Sequence, residues 1–148
     1  MKIYMFAFLA LLPLMPVRAD DASARAGLLG TWQETDDSGK GVSVWVLEAN
    51  GDSLHVTNSQ GDQKLSEIDC KPAGAECEGT DSGKKVKVLM YFNGPTLVQM
   101  ETEGSNVIKR RFTVTDKPDM MDLEVMPLTG HAKTETLHLK RMPVTASK

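Results

Sequence analysis

Histidine, cysteine, aromatic residues and positive charge are all scarce in this chain of 148 residues, and each scarcity removes a class of function. Three histidines, His55, His131 and His138, are too few and too scattered for a metal centre unless they converge with carboxylates. Their places in strand-like runs or after Gly130 suit surface residues. Neither a Gly-x-Ser-x-Gly elbow nor a glycine-rich phosphate loop occurs, so no hydrolase or nucleotide-binding motif is present. The carboxylate pairs Glu76/Glu78 and Glu101/Glu103 sit two residues apart and read as solvated strand faces. These readings predict a protein without catalytic residues, cofactor or metal. No stretch has the 3.6-residue period of a long amphipathic helix.

What is present begins with a leader. Lys2, the apolar run Ile3 to Leu12, the breaks at Pro13 and Pro16, and Val17-Arg18-Ala19 have the order of a secretory signal spanning residues 1–19. The run is too short to anchor in a bilayer, so no integral membrane segment is expected in the mature chain. Beyond Ala19 lie fifteen basic and twenty acidic residues, a net charge of −5, which disfavours nucleic acid or an anionic membrane as partner. The two cysteines, Cys70 and Cys77, flank Lys71-Pro72-Ala73-Gly74-Ala75-Glu76. In an exported chain such a pair predicts a structural disulfide pinning a hairpin, in a secreted or periplasmic protein.

From Gly30 onward the rhythm is β. Turn signals recur at Asp37-Ser38-Gly39, Asn50-Gly51-Asp52, Gln60-Gly61-Asp62, Asp81-Ser82-Gly83, Asn93-Gly94-Pro95, Gly104-Ser105, Lys117-Pro118-Asp119 and Leu128-Thr129-Gly130. Between them the residues alternate. Val86, Val88, Met90 and Phe92 share one face; Ile108, Arg110, Phe112 and Val114 another; then Met121, Leu123 and Val125; then Leu137, Leu139 and Arg141. Thr96, Val98 and Met100 read as a buried face with Gln99 and Glu101 turned to solvent. Val42 to Leu47 is apolar on both faces, which suggests cover by the segment 20–29, expected as one helical turn or a loose lead. Leu65 and Ile68 break alternation and predict a bulge near Ser66-Glu67. The expected architecture is an all-β, antiparallel, up-and-down barrel of eight or nine strands over residues 30–142, with a tail at 143–148. Closure would remove the exposed edges of an open sheet.

Gly30-Thr31-Trp32 at the head of the first strand and Arg141 on the last resemble the lipocalin-like barrels of the calycin group. The resemblance implies that Gly30, Trp32 and Arg141 close the barrel base, guanidinium across indole. It extends over about Leu28 to Met142 and lies nearest to small secreted or periplasmic bacterial domains. Avidin-like members hold biotin between several tryptophans, whereas this chain has only Trp32 and Trp45. Calycin-type metalloprotease inhibitors use an N-terminal arm, for which Asp20-Asp21-Ala22-Ser23 is the corresponding stretch. Two functions follow as expectations. The first is a small apolar or amphipathic ligand held inside the barrel by Trp45, Met90, Met100, Phe112 and Leu123, with Arg110 as polar anchor. The second is a filled barrel acting as a protein-binding module, such as a protease inhibitor or an envelope scaffold.

Overall fold

The computed structural model describes residues 19–35 and 42–144. The leader expected at residues 1–19, apart from Ala19, and the turn at Asp37-Ser38-Gly39 lie outside the described residues. A nine-residue helix, α1 (Ala19–Gly27), precedes the strands; alanines at 22, 24 and 26 favour it, and Arg25 in its last turn suits the negative end of the helix. Ten strands follow: β1 (Gly30–Glu34), β2 (Ser43–Asn50), β3 (Ser53–Gln60), β4 (Gln63–Cys70), β5 (Ala73–Asp81), β6 (Lys84–Asn93), β7 (Thr96–Glu103), β8 (Asn106–Val114), β9 (Met120–Pro127) and β10 (Glu135–Arg141). Each pairs antiparallel with the next, and β10 pairs with β1 to close a barrel.

The count is ten rather than eight or nine. β5 is the strand that hydrophobic alternation does not announce, because its sequence is Ala-Gly-Ala-Glu-Cys-Glu-Gly-Thr-Asp. Five two-residue turns stand where the turn signals placed them, closing the pairs Asn50↔Ser53, Gln60↔Gln63, Asp81↔Lys84, Asn93↔Thr96 and Glu103↔Asn106. The bulge falls at Leu65: Asn58 pairs with Ser66 and Ser59 with Lys64, so Leu65 is the extra residue, adjacent to the expected place.

The β4–β5 seam is short, with Cα partners at Ser66, Glu67 and Ile68. Cys70 and Cys77 lie where that register would continue, and their disulfide, Cα to Cα 5.9 Å, holds the strands together beyond the hydrogen-bond ladder. Gly79 belongs to the same seam, since a Cβ there would lie 2.7 Å from Cγ1 of Ile68.

The helix does not cover β2. It lies at the barrel base, where Arg25 donates to the Gly94 carbonyl at 2.9 Å and stacks 4.6 Å from the Phe92 ring centroid. Gly27 lies near Val114. Val44 and Val46 are half-buried on the outer face of β2. The stretch expected as a possible inserting arm is thus part of a helix tied to its own barrel.

Candidate functional site

Two arginines, one at each end of the barrel, organise the interior. At the base, Arg141 is the Cα partner of Trp32 and lies over its ring, 4.2 Å from the centroid. Its Nη1 donates to the Leu29 carbonyl at 2.7 Å and its Nη2 to the Gly27 carbonyl at 2.6 Å. Trp32 Nε1 donates to the Leu28 carbonyl at 2.9 Å. These side chains satisfy the carbonyls left open where α1 ends. Gly30 makes the approach possible: its φ is +137°, and a Cβ there would sit 2.5 Å from Arg141 Nη1. Nearby, Leu29, Leu47, Met142, Pro143 and Val144 help line an external cavity of about 670 Å³.

Above the base the centre is solid. Met90, Leu97, Phe112, Met121 and Leu123 expose no surface, so no water-sized space touches them. Trp45 meets Phe112 edge to face, with centroids 5.5 Å apart. Met90, Phe112 and Leu123 therefore belong to a packed cluster rather than line a void, and Trp45, slightly exposed, packs against Phe112 at its edge.

Met100 is a correction. It is the Cα partner of Leu89 and Lys109 on the outer face, whereas Leu97, Gln99 and Glu101 point inward opposite Phe112, Arg110 and Ile108. The face expected to be solvated is the interior one. Of the six methionines in the barrel and tail, Met90 and Met121 are fully buried inside it.

The upper interior is consequently polar. Arg110, 12 % exposed, donates from Nη1 to Glu101 Oε2 at 2.7 Å; its Nη2 lies 3.5 Å from Asp81 Oδ2, and its guanidinium carbon is 5.9 Å from the Trp45 ring centroid. Glu101 is only 4 % exposed. Burial pushes its carboxyl up to about 7, and a hydrogen bond with Asp81 adds to this, while Arg110 pulls the other way. Among the described residues, Trp45 Nε1, Asn58 Oδ1 and both amide atoms of Gln99 are buried without a hydrogen-bond partner. Each such orphan costs about 1–3 kcal/mol unless water or a ligand reaches it.

Asp81 and Glu101 also line a cavity of about 390 Å³ at the barrel mouth, walled by Val107, Ile108, Pro127 and Ala132 with Ser82, Glu103, Asn106 and Thr129. The loop after β9 forms one side of it: Leu128 N donates to the Val107 carbonyl at 2.8 Å, and Thr129 Oγ1 accepts from Val107 N at 3.0 Å.

The histidines stay outside this site. His55 lies between Glu67 (3.4 Å) and Asp69 (3.7 Å) on the outer face, His138 lies 2.8 Å from Asp122, and His131 is exposed. Among the described residues no group of three or more His, Cys, Asp or Glu is placed to hold a metal ion, and no helix is long and apolar enough to cross a membrane.

No family model matches the chain, and no curated protein does. Solved structures do match in shape. A secretory abundant heat soluble protein from Ramazzottius varieornatus superposes with a TM-score of 0.64 at 17% identity, covering 77% of this chain and 94% of that one. The REP1-NXSQ fatty acid transporter gives 0.66 at 18% identity, covering 80% and 98%. A Schistosoma mansoni fatty acid binding protein in complex with arachidonic acid gives 0.66 at 17% identity, covering 81% and 99%. Strand order, closure at β1 and β10, and these superpositions together give this chain a lipocalin-like, calycin-type barrel fold.

Proposed function

We propose that this protein is a non-enzymatic binding protein of an oxidising compartment, receiving a small amphipathic molecule at the barrel mouth. The observation that carries the reading is the buried polar layer of Arg110, Glu101 and Asp81, whose two carboxyl groups face a cavity of about 390 Å³ with apolar walls. Buried charge unpaired with solvent is costly and concentrates at functional sites. The cavity is in the size range of small-molecule sites. The Cys70–Cys77 disulfide supports a secreted or periplasmic location. The structural neighbours, named as a transporter and a binding protein of fatty acids, support a small-molecule role over a catalytic one.

Within this reading Met90, Phe112 and Leu123 form the packed floor under the site, and Arg110 holds the site's carboxylates. Trp45 lies beneath Arg110 as an optical reporter. Native mass spectrometry of the protein isolated from its own source tests it: one small-molecule adduct per chain is expected. The solid centre favours a second reading, a protein-binding scaffold. A stoichiometric partner chain with no small-molecule adduct would replace the first reading with the second.

A further inference from the structure

We infer that the Cys70–Cys77 disulfide is a redox latch on the barrel wall. Its reduction by a dithiol parts the β4–β5 seam beyond Ile68 as a local unit and bares the apolar interior behind it, while the other seams stay closed. The inference does not depend on the ligand reading above. It starts from how unevenly the wall is held. β2 and β3 share eight Cα partners, and β5 with β6, β6 with β7, β7 with β8 and β8 with β9 share seven each. β4 and β5, of eight and nine residues, share three, from Ser66↔Asp81 to Ile68↔Gly79. The same register continued would set Asp69 opposite Glu78 and Cys70 opposite Cys77, and no ladder pair forms at either position. Beyond Ile68, therefore, the covalent bond takes the place of the hydrogen bonds, with the two Cα atoms 5.9 Å apart.

Charge works against the same stretch. Like charges directly opposite across two strands destabilise their pairing, and the register sets Asp69 against Glu78. A cavity of about 450 Å³ lies over the outside of the seam, lined by Glu67, Asp69 and Glu78 with His55, Gly79, Thr80 and Lys85. Behind the seam the wall is apolar: Leu54 is the Cα partner of Cys70 and Val88 that of Cys77, and all four belong to the core or pack against it. Cys70 is buried and Cys77 only partly so, which makes Cys77 the sulfur that a thiolate reaches. The reductant's thiolate attacks there, the S–S bond breaks, and Cys70 leaves as a thiolate that takes up a proton. The reductant's second thiol then displaces Cys77. Two cysteine thiols are formed and the dithiol is oxidised to a disulfide.

Thiol labelling of the intact protein tests the latch. The protein is reduced with dithiothreitol, freed of it without air, and alkylated with iodoacetamide at urea concentrations below the unfolding midpoint, with peptide mass spectrometry reading Cys70. Urea dependence scales with the surface that an opening exposes, so a local opening and global unfolding give different slopes. The reduced barrel is expected to stay folded and to label Cys70 with less than about a third of the urea dependence of global unfolding. Glu78→Gln, which removes the carboxylate opposite Asp69, is expected to slow that labelling about two- to fivefold. Labelling with the full urea dependence of unfolding, labelling indifferent to Glu78→Gln, or loss of the whole barrel on reduction overturns the latch. Each of those results leaves the mouth-binding reading standing.

Discussion

The base and the mouth of this barrel each hold an arginine, half-buried at the base and nearly enclosed at the mouth, and they use it in different ways. Arg141 bonds two backbone carbonyls that the fold presents in any case and covers an indole, and its carboxylate partner, Asp119 at 3.3 Å from Nε, stands in solvent. Arg110 bonds two carboxyl groups, and those carry charge that nothing in the fold requires. Replacing buried ion pairs by apolar residues is often neutral or stabilising, so a barrel selected for stability alone has no need of the second arrangement. The difference separates a device that closes a fold from a buried polar layer that the proposed binding role would explain.

Mutations should reproduce that division. The largest effect is expected at the base: Trp32→Ala should cost about 3–5 kcal/mol, read as a fall in the urea midpoint, because it empties a fully buried site and leaves Arg141 without its platform. Arg110→Leu should cost nearly as much by itself, about 3–5 kcal/mol, since it strands Glu101. Combining it with Glu101→Leu should return most of the loss. No second substitution should rescue Trp32→Ala in the same manner, and a rescue there would dissolve the contrast between the two ends.

Opening the disulfide between Cys70 and Cys77 should come next, at about 2.5 kcal/mol on the chain-entropy model, measured as the difference between Cys70→Ser/Cys77→Ser and the oxidised protein. The smallest expected effect is a pH slope. Glu101 in the folded chain titrates near 7, above its usual 4.5. Folding therefore binds a proton between those values, and the group's contribution is fully present below about pH 4.5 and lost as pH rises towards 7. The stability of Glu101→Gln relative to the parent should therefore change in the variant's favour from pH 5 to pH 7.5. A flat difference would mean that burial does not raise the Glu101 carboxyl.

Closure of the base was legible through the calycin resemblance of Gly30-x-Trp32 and Arg141, whose strands pair in the closed barrel. The mouth was not, and β7 shows why. Thr96-Leu97-Val98-Gln99-Met100 is apolar on both faces, so counting apolar residues selects Thr96, Val98 and Met100 for the core. The turn at Gly104-Ser105 decides otherwise. Two residues between Glu103 and Asn106 bind Glu101 to Ile108, Gln99 to Arg110 and Leu97 to Phe112. Once Ile108, Arg110 and Phe112 face inward, β7 must follow, carrying Gln99 and Glu101 inside and Met100 out. Register set by a tight turn outranks a local hydrophobic count, since a one-residue slip would invert every side chain. Asp81 was hidden differently. It belongs to a turn signal, and its inward direction depends on pairing with Ser66 across the bulge at Leu65, which alternation places only to within a residue.

The contrast between a packed middle and an occupied mouth is most directly tested by a crystal structure of the protein carrying its own co-purified ligand. The account predicts density between Glu101, Asp81 and the wall of Ile108 and Pro127, with Met90, Phe112 and Leu123 still in mutual contact. Density threading down the axis between Met90, Phe112 and Leu123, with those side chains parted, would contradict it.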